Sequence, residues 1–530
     1  MYAIIAGCII ALAAFENIWP AIAGFFRTPP GFVFLGTVHH PADYFYYLSQ
    51  FAQGGYRWIT TVNLFTNEPV APSFVGWSNV LVGRVFHFFG ISPLIAYQVS
   101  VVIFTVILLV AGYRLAYIVL ASQRPAGLAL YLFALFHAFP ILRDGKPSYG
   151  DYWNNFAIPR VRLGGVPHQL LLHAASILMV YFIIQWIQYK KYTVGTLVSL
   201  GVSSLILASL QPVLWGLIMA TLGIAFLSGY WLKLSDKPAK SSTPKFLMQR
   251  IGVPFFVLVS TGLPPVLYLT RLFTTLPFSQ LKLWEAGAQN ALTPEHFLSS
   301  TGPVFLIALF SLPLFASHLS FAKIFVILFS LFSLLLLLSP LPVALGLSQA
   351  RFISTLTILC LSVIASSGLM HLFNAKGTIT RMSGALLIVG ISLLLIPNHF
   401  KTLELSSSFD PGNAYYYLPA ADYEFLQKSG RIGKPDDTFL VTWPYNVMFP
   451  AITGKRTYHG HPLLTIASQE KDALAIAALN GSMTPEATRA FYADNDIAYL
   501  IGTTDNVYLT NSPLVTRVSA SKTLVLYKVL

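Results

Sequence analysis

The feature that most limits what this chain can become is a series of long stretches without charge. Runs nearly free of Asp, Glu, Lys and Arg occur at 2–26, 93–120, 126–142, 168–187, 194–210, 213–232, 251–270, 302–319, 324–338, 352–373 and 382–397. A bilayer is crossed by about 17–25 apolar residues in a helix. The pattern predicts an α-helical polytopic membrane protein with about eleven transmembrane helices. A soluble fold has no place for so much apolar surface. Of the 530 residues 55% are hydrophobic and 10% charged, whereas soluble domains carry about a quarter charged residues and single cores stop growing near about 250–300 residues.

The first run is preceded by no Lys or Arg and continues to Phe26, so it reads as a retained first helix and not as a cleaved leader. With the N-terminus in the cytoplasm, the inner loops hold Arg124, then Lys190 and Lys191, then Lys233, Lys237, Lys240, Lys245 and Arg250, then Lys323, then Lys376 and Arg381, with Asp236 the one opposing charge. Short basic loops fix orientation by the positive-inside rule. They also account for the net charge of +13 without nucleic acid. An odd number of spans puts the C-terminus outside, in the plasma (inner) membrane of a bacterial-type envelope. The two cysteines, Cys8 and Cys360, lie in apolar runs and form no disulfide or metal pattern.

The outer loops differ in kind. Those at 27–92, 143–167 and 271–300 are long and rich in aromatic, Pro and Gly residues, and such loops on a rigid scaffold are where sites are usually built. Composition divides the chain into a transmembrane part, 1–398, and a small extracytoplasmic α/β domain, 399–530. Helical periodicity is expected at 422–429, 469–479 and 484–493, and strands at 438–442, 497–501 and 523–529.

The first outer loop carries the most chemistry. It reads His39-His40-Pro41-Ala42-Asp43-Tyr44-Phe45-Tyr46-Tyr47-Leu48-Ser49-Gln50. Pro41 suits a first helical turn, Asp43 falls in that turn, and Phe45, Leu48 and Phe51 follow at helical spacing, which predicts an amphipathic helix along the membrane surface. Asp43 has two readings: an acid favoured at a helix start by the macrodipole, or a general base. Asp43 and Glu68 are the only carboxylates between Arg27 and Ser92. Glu68 is either a helping second acid or a turn acid before Pro69. In the second loop Arg160 and Arg162, followed by His168, either clamp a phosphate or snorkel to the interface. Arg351 opens a span from the outside, against the charge rule, and asks for an anion, either a lipid-linked phosphate or Glu16 near the outer end of the first span. His39 and His40 are too few for a metal site. No phosphate-binding Gly-rich loop, Gly-x-Ser-x-Gly elbow or His-Glu-x-x-His occurs, and the nearly uncharged spans disfavour ion-coupled transport.

This pattern resembles the GT-C integral membrane glycosyltransferases. The likeness rests on an acid soon after the first span, Asp43, on the number and orientation of spans with long loops outside, and on the external α/β domain. Within that domain, Phe449-Pro450-Ala451-Ile452-Thr453-Gly454-Lys455-Arg456-Thr457-Tyr458-His459-Gly460-His461 looks like segments of uncharacterised bacterial members. The resemblance implies transfer of a hexose or pentose, with inversion, from a polyprenyl-phosphate-linked donor to a lipid, glycan or protein acceptor on the outer face. It carries the family's base onto Asp43. Many members have a second acid beside the first; here Tyr44 follows, and no metal or other cofactor is expected. Arg351, Arg160 and Arg162 are then candidates for the donor phosphate. His39, His40, Tyr46, Tyr47 and His168 are candidates for substrate contact, with Trp58 and Trp77 either stacking on sugar or forming an interfacial aromatic belt. The rival readings are a non-enzymatic lipid or polysaccharide transporter and a membrane-assembly protein.

The orientation has a direct test. In intact cells an impermeant thiol reagent should label a single cysteine placed beyond residue 406 and spare one at Ser241. The reverse pattern would invert the topology.

Overall fold

The computed structural model describes the chain except for residue 1 and segments 135–140, 144–145, 149–162, 190–192, 237–250, 288–293 and 375–376. Arg160 and Arg162, and the inner-loop residues Lys190, Lys191, Lys237, Lys240, Lys245, Arg250 and Lys376, lie outside the described residues. The chain forms two compact units that interleave in sequence. One comprises Met1–Ile18, Val101–Arg271 and Glu285–Leu405; the other comprises Trp19–Ser100, Leu272–Trp284 and Ser406–Leu530.

The first unit is helical, as the uncharged runs predict. Among the described residues six helices are long and apolar enough to cross a membrane: α1 (Tyr2–Phe26), Pro93–Leu120, Pro167–Tyr189, Val253–Leu272, Phe321–Leu338 and Thr355–Asn374. Val194–Leu210, Pro212–Ser228, Gly302–Phe315 and Met382–Leu393 are shorter apolar helices. The expected span 126–142 takes another form. Its described helix is Gln123–Ala134, and residues 135–140 lie outside the described residues. By Ile141 the chain is in a short hairpin of β2 (Ile141–Arg143) with β3 (Lys146–Ser148).

Inside this unit several polar side chains bond from one helix to another. Asn17 Nδ2 donates to Thr105 Oγ1 at 2.7 Å. Trp215 Nε1 donates to Ser204 Oγ at 2.9 Å, and that hydroxyl donates to the Leu258 carbonyl at 2.8 Å. Gly262 lets the indole approach, since a Cβ there would lie 2.4 Å from Trp215 Nε1. Small residues at such crossings allow close packing where no hydrophobic force distinguishes helix from lipid. The outward faces expose Ile103, Ile107, Phe256, Leu331, Leu335 and Leu386. Apolar surface of this extent needs lipid as its solvent. The chain is a multi-pass membrane protein.

The second unit joins the loop that follows α1 to the C-terminal segment. β1 (Phe32–Phe34) pairs antiparallel with β4 (Tyr417–Pro419). A five-stranded sheet follows in the order β6-β5-β7-β9-β8, from β5 (Thr438–Val441), β6 (Arg456–Thr457), β7 (Ile497–Thr503), β8 (Val515–Ala520) and β9 (Leu524–Val529). β5 is parallel to β6 and β7, and β9 is antiparallel to both β7 and β8. The expected helices appear as Ala420–Ser429, Ser468–Asn480 and Pro485–Asp494. Leu440, Leu500, Ala478, Phe491 and Tyr527 share the core of this sheet.

From the loop come α2 (Pro41–Gln53) and α3 (Trp77–Phe88). The two helices touch at glycines: a Cβ on Gly83 would stand 2.3 Å from the Phe51 carbonyl oxygen, and one on Gly54 2.4 Å from the Arg84 nitrogen. α2 also packs against the helix Tyr445–Thr453. The loop after α2 is stitched to the C-terminal segment by backbone. Thr457 N donates to Leu64 O at 2.9 Å, Thr66 and His459 form an antiparallel bridge, and Asn63 Nδ2 donates to Leu464 O at 2.8 Å.

Candidate functional site

Asp43 stands in the first turn of α2, with Pro41 setting the start and His40 in the cap position. The buried face, Ala42, Tyr44, Phe45, Leu48 and Phe51, anchors the helix and leaves Asp43 half-buried, its side chain 43% exposed. Its two oxygens have different neighbours. Oδ1 lies 3.5 Å from His461 Nε2, and Oδ2 lies 4.0 Å from His40 Nδ1.

His461 comes from the loop beyond β6 and is 2% exposed. Its Nδ1 accepts a hydrogen bond from the Leu463 amide at 3.1 Å. A nitrogen that accepts carries a lone pair, so the ring proton sits on Nε2, the atom facing Asp43. Tyr46 and Phe65 hold the ring edge-on, at centroid distances of 5.8 and 5.9 Å. Burial works to raise the Asp43 pKa. The His461 N–H and the fields of His461, His40 and His39 outweigh it and hold the carboxyl below its ordinary value. Burial pushes the Tyr46 hydroxyl up, so Tyr46 stays a phenol.

His39 lies against Tyr97, its Nε2 2.9 Å from the Tyr97 hydroxyl, and its ring packs on Tyr44 and Tyr47. The structure thus gathers His39, His40, Asp43, Tyr46 and Tyr47 at one end of α2 and adds His461 and Phe65.

Glu68 is engaged elsewhere in the same unit. Lys471 Nζ lies 2.7 Å from its Oε1, and Thr66 Oγ1 donates to Oε2. The ammonium also reaches Asn67 Oδ1, lies 3.2 Å from Thr66 Oγ1 and stands 4.8 Å over the Tyr458 ring. For Glu68 burial acts upward but loses to the bonds from Lys471 and Thr66, so its pKa is lowered. Burial lowers that of Lys471 against the pull of Glu68. Both oxygens of Glu68 are occupied, which makes it a clasp more than a base. Beside it His459 Nε2 lies 3.5 Å from Asp472 Oδ1.

Two candidates belong to the helical unit. His168 is half-buried in the first turn of Pro167–Tyr189. Arg351, in a short 3₁₀ turn Gln349–Phe352, meets Glu285 in a bidentate pair, Nε to Oε1 at 2.8 Å and Nη2 to Oε2 at 3.0 Å. Sequence reasoning offered Glu16 as its protein partner; the structure supplies Glu285, because the fold brings the helix Phe278–Gly287 to the turn that carries Arg351. The segment ending in His459-Gly460-His461 is conspicuous in the sequence, but neither the pairing of His461 with Asp43 nor that of Lys471 with Glu68 is written there. Nothing in linear spacing says that residues about four hundred positions apart meet.

No protein-family model matches the chain, and no curated protein matches its sequence. Solved structures do match its fold. The oligosaccharyltransferase of Archaeoglobus fulgidus, solved with a tethered acceptor peptide, is 15% identical, with 94% of this chain and 69% of that one aligned at a TM-score of 0.54. ArnT from Cupriavidus metallidurans, bound to undecaprenyl phosphate, is 11% identical over 98% of this chain and 97% of that one, with a TM-score of 0.52. The arabinofuranosyltransferase AftD from Mycobacteria is 12% identical over 98% of this chain and 40% of that one, with a TM-score of 0.51. The chain shares the fold of these solved membrane enzymes, in line with the architecture that the sequence resemblance implied.

The buried His459 gives a pH test. Burial, with Lys471 adding to it, depresses its pKa from 6.5 to about 4. Between those values the unfolded chain takes up a proton that the folded one refuses. Stability therefore falls as pH drops through this window, by up to about 3 kcal/mol. Melting temperatures measured from pH 7 to pH 4 should show this decline, and His459→Gln should flatten it. An unchanged slope in the variant would place the pH sensitivity elsewhere.

Proposed function

We propose that this protein is a glycosyltransferase that moves a sugar from a polyprenyl-phosphate-linked donor to a lipid, glycan or protein acceptor on the extracytoplasmic face, with Asp43 as general base. The observation that carries the reading is the state of Asp43: a carboxylate held ionised and still reachable, at the aromatic end of α2. The solved structures of like fold support the substrate class, since one is bound to undecaprenyl phosphate and another was solved with an inhibitory peptide and a dolichol-phosphate.

The chemistry needs little else. The acceptor oxygen attacks the anomeric carbon as its proton passes to Asp43. The bond from that carbon to the phosphate oxygen breaks, and the lipid phosphate leaves with the electron pair. Attack from the face opposite the phosphate inverts the anomeric centre. The leaving phosphate requires a cation, and Arg351 is proposed for it, a phosphate taking the place of the Glu285 carboxylate. Arg160, Arg162 and His168 remain candidates for the same donor, and His39, His40, Tyr46 and Tyr47 for sugar contact.

Asp43→Asn tests the base. It should fold with a stability change of at most about 1 kcal/mol, bind donor, and lose about 10²–10⁴-fold in transfer rate. Wild-type turnover in a stable variant would remove Asp43 from the chemistry. The wild-type rate should fall with decreasing pH through a value below the ordinary carboxylate range, because the lowered pKa keeps the base ionised down to that point. The activity itself is read by incubating the purified protein with polyprenyl-phosphate sugars and candidate acceptors.

Arg351→Ala tests the phosphate contact. Binding of undecaprenyl phosphate should weaken at least tenfold, the scale of losing a charge-assisted bidentate contact. Glu285→Gln should tighten it, since the competing carboxylate is gone. Unchanged affinity in both variants would move the phosphate site away from Arg351.

A further inference from the structure

The C-terminal segment reaches the proposed base directly, and the base reading does not use that contact. His461 is buried, its Nδ1 is occupied by the Leu463 amide, and its Nε2 meets the criteria of a hydrogen bond with no group among the described residues. A buried ring N–H without a partner is unfavourable. The one acid facing it is Asp43, with Oδ1 at 3.5 Å. Tyr46 and Phe65 fix the plane of the ring from two sides, and the Thr66–His459 bridge fixes the backbone just before it. The other oxygen of Asp43 turns toward His40, whose side chain is 69% exposed.

We propose that His461 is a positioning residue for Asp43. Its Nε2–H holds Oδ1 and leaves Oδ2 as the atom that takes the acceptor's proton. The inference rests on Asp43 being the base and adds that the C-terminal α/β segment completes the catalytic site. In the reaction step the acceptor O–H bond breaks, its proton goes to Oδ2, the new bond to the anomeric carbon forms, and the phosphate departs with the electrons of the old one. His461 neither gains nor loses a proton in this step. It keeps the carboxylate ionised and oriented.

Two variants separate orientation from packing. His461→Phe keeps an aromatic ring between Tyr46 and Phe65 but removes the donor. His461→Gln restores an N–H donor of similar reach. In His461→Phe the transfer rate should fall about tenfold or more at neutral pH, with the KM for donor unchanged. The acid limb of its pH–rate profile should move up by about one unit or more, because burial then acts on Asp43 without the opposing N–H. His461→Gln should recover part of the rate and return the acid limb toward that of the wild type. A His461→Phe protein with a lowered melting temperature but an unmoved acid limb would reduce His461 to a packing residue and overturn the inference. So would wild-type rate and profile in His461→Phe. Failure of the base reading shows differently: Asp43→Asn would retain turnover, whatever the histidine variants do.

Discussion

The second unit depends on one junction, the seam between the first outer loop and the C-terminal segment. Leu64, Phe65 and Thr66 supply carbonyls and a hydroxyl to Thr457, Thr465 and Ile466. Lys471 then inserts an almost fully buried ammonium among Thr66, Asn67 and Glu68. A buried ammonium is costly unless every donor finds an acceptor. Here three side chains of a single short stretch and the Tyr458 carbonyl satisfy it. Such a network tolerates little displacement, because sliding the loop by one residue would strand the charge. The seam therefore fixes where α2 begins relative to the loop beyond β6, and with it the approach of His461 to Asp43.

The helical unit follows another rule. Lipid offers its helices no hydrophobic reason to associate, so they associate through small residues and through hydroxyl, amide and indole bonds. Gly262 under Trp215, Ser204 between two helices, and Asn17 on Thr105 are such contacts. Arg351 and Glu285 belong to the same unit and meet in fork geometry, a pairing that suits a guanidinium to carboxylate or phosphate alike. That shared geometry is why a protein carboxylate can occupy the place proposed for a lipid phosphate.

These two kinds of contact explain what could be read in advance. Uncharged runs mark helices strongly, since hydropathy integrates over some twenty residues. The spans, α2 with Asp43 in its first turn, and strands such as Thr438–Val441 and Leu524–Val529 were legible on that basis. The fold's likeness to membrane glycosyltransferases was legible from architecture. β8 was not: four of its six residues are exposed or nearly so, and an edge strand of polar and small residues leaves no hydrophobic alternation to detect. Arg456–Thr457 forms only a two-residue strand, below what a pattern can show. The partners of Asp43, Glu68 and Arg351 were hidden for a different reason. Each pairing joins distant parts of the chain, and one sequence read alone holds no record of such contacts.

The contrast between the two carboxylates of the first loop is chemical as well as structural. Glu68 faces an ammonium at 2.7 Å and a hydroxyl. A carboxylate so paired is ionised but weakly basic, since protonating it would break an ion pair inside the protein. Asp43 faces an imidazole whose Nδ1 is already accepting a backbone amide. A neutral N–H orients a carboxylate without neutralising it. Burial acts upward on both carboxyls, and in both it is outweighed, so each is held below its ordinary value; of the two, Asp43 is the more exposed, 43% against 35%. Anything that covers Asp43, an acceptor above all, excludes water and strengthens the upward action of burial. In the role proposed for Asp43, covering would raise its basicity at the moment an acceptor hydroxyl is beside it, whereas Glu68 has both oxygens engaged by Lys471 and Thr66. Of the two acids in this loop, Glu68 is held in an ion pair with Lys471, and Asp43 is the one proposed to take a proton.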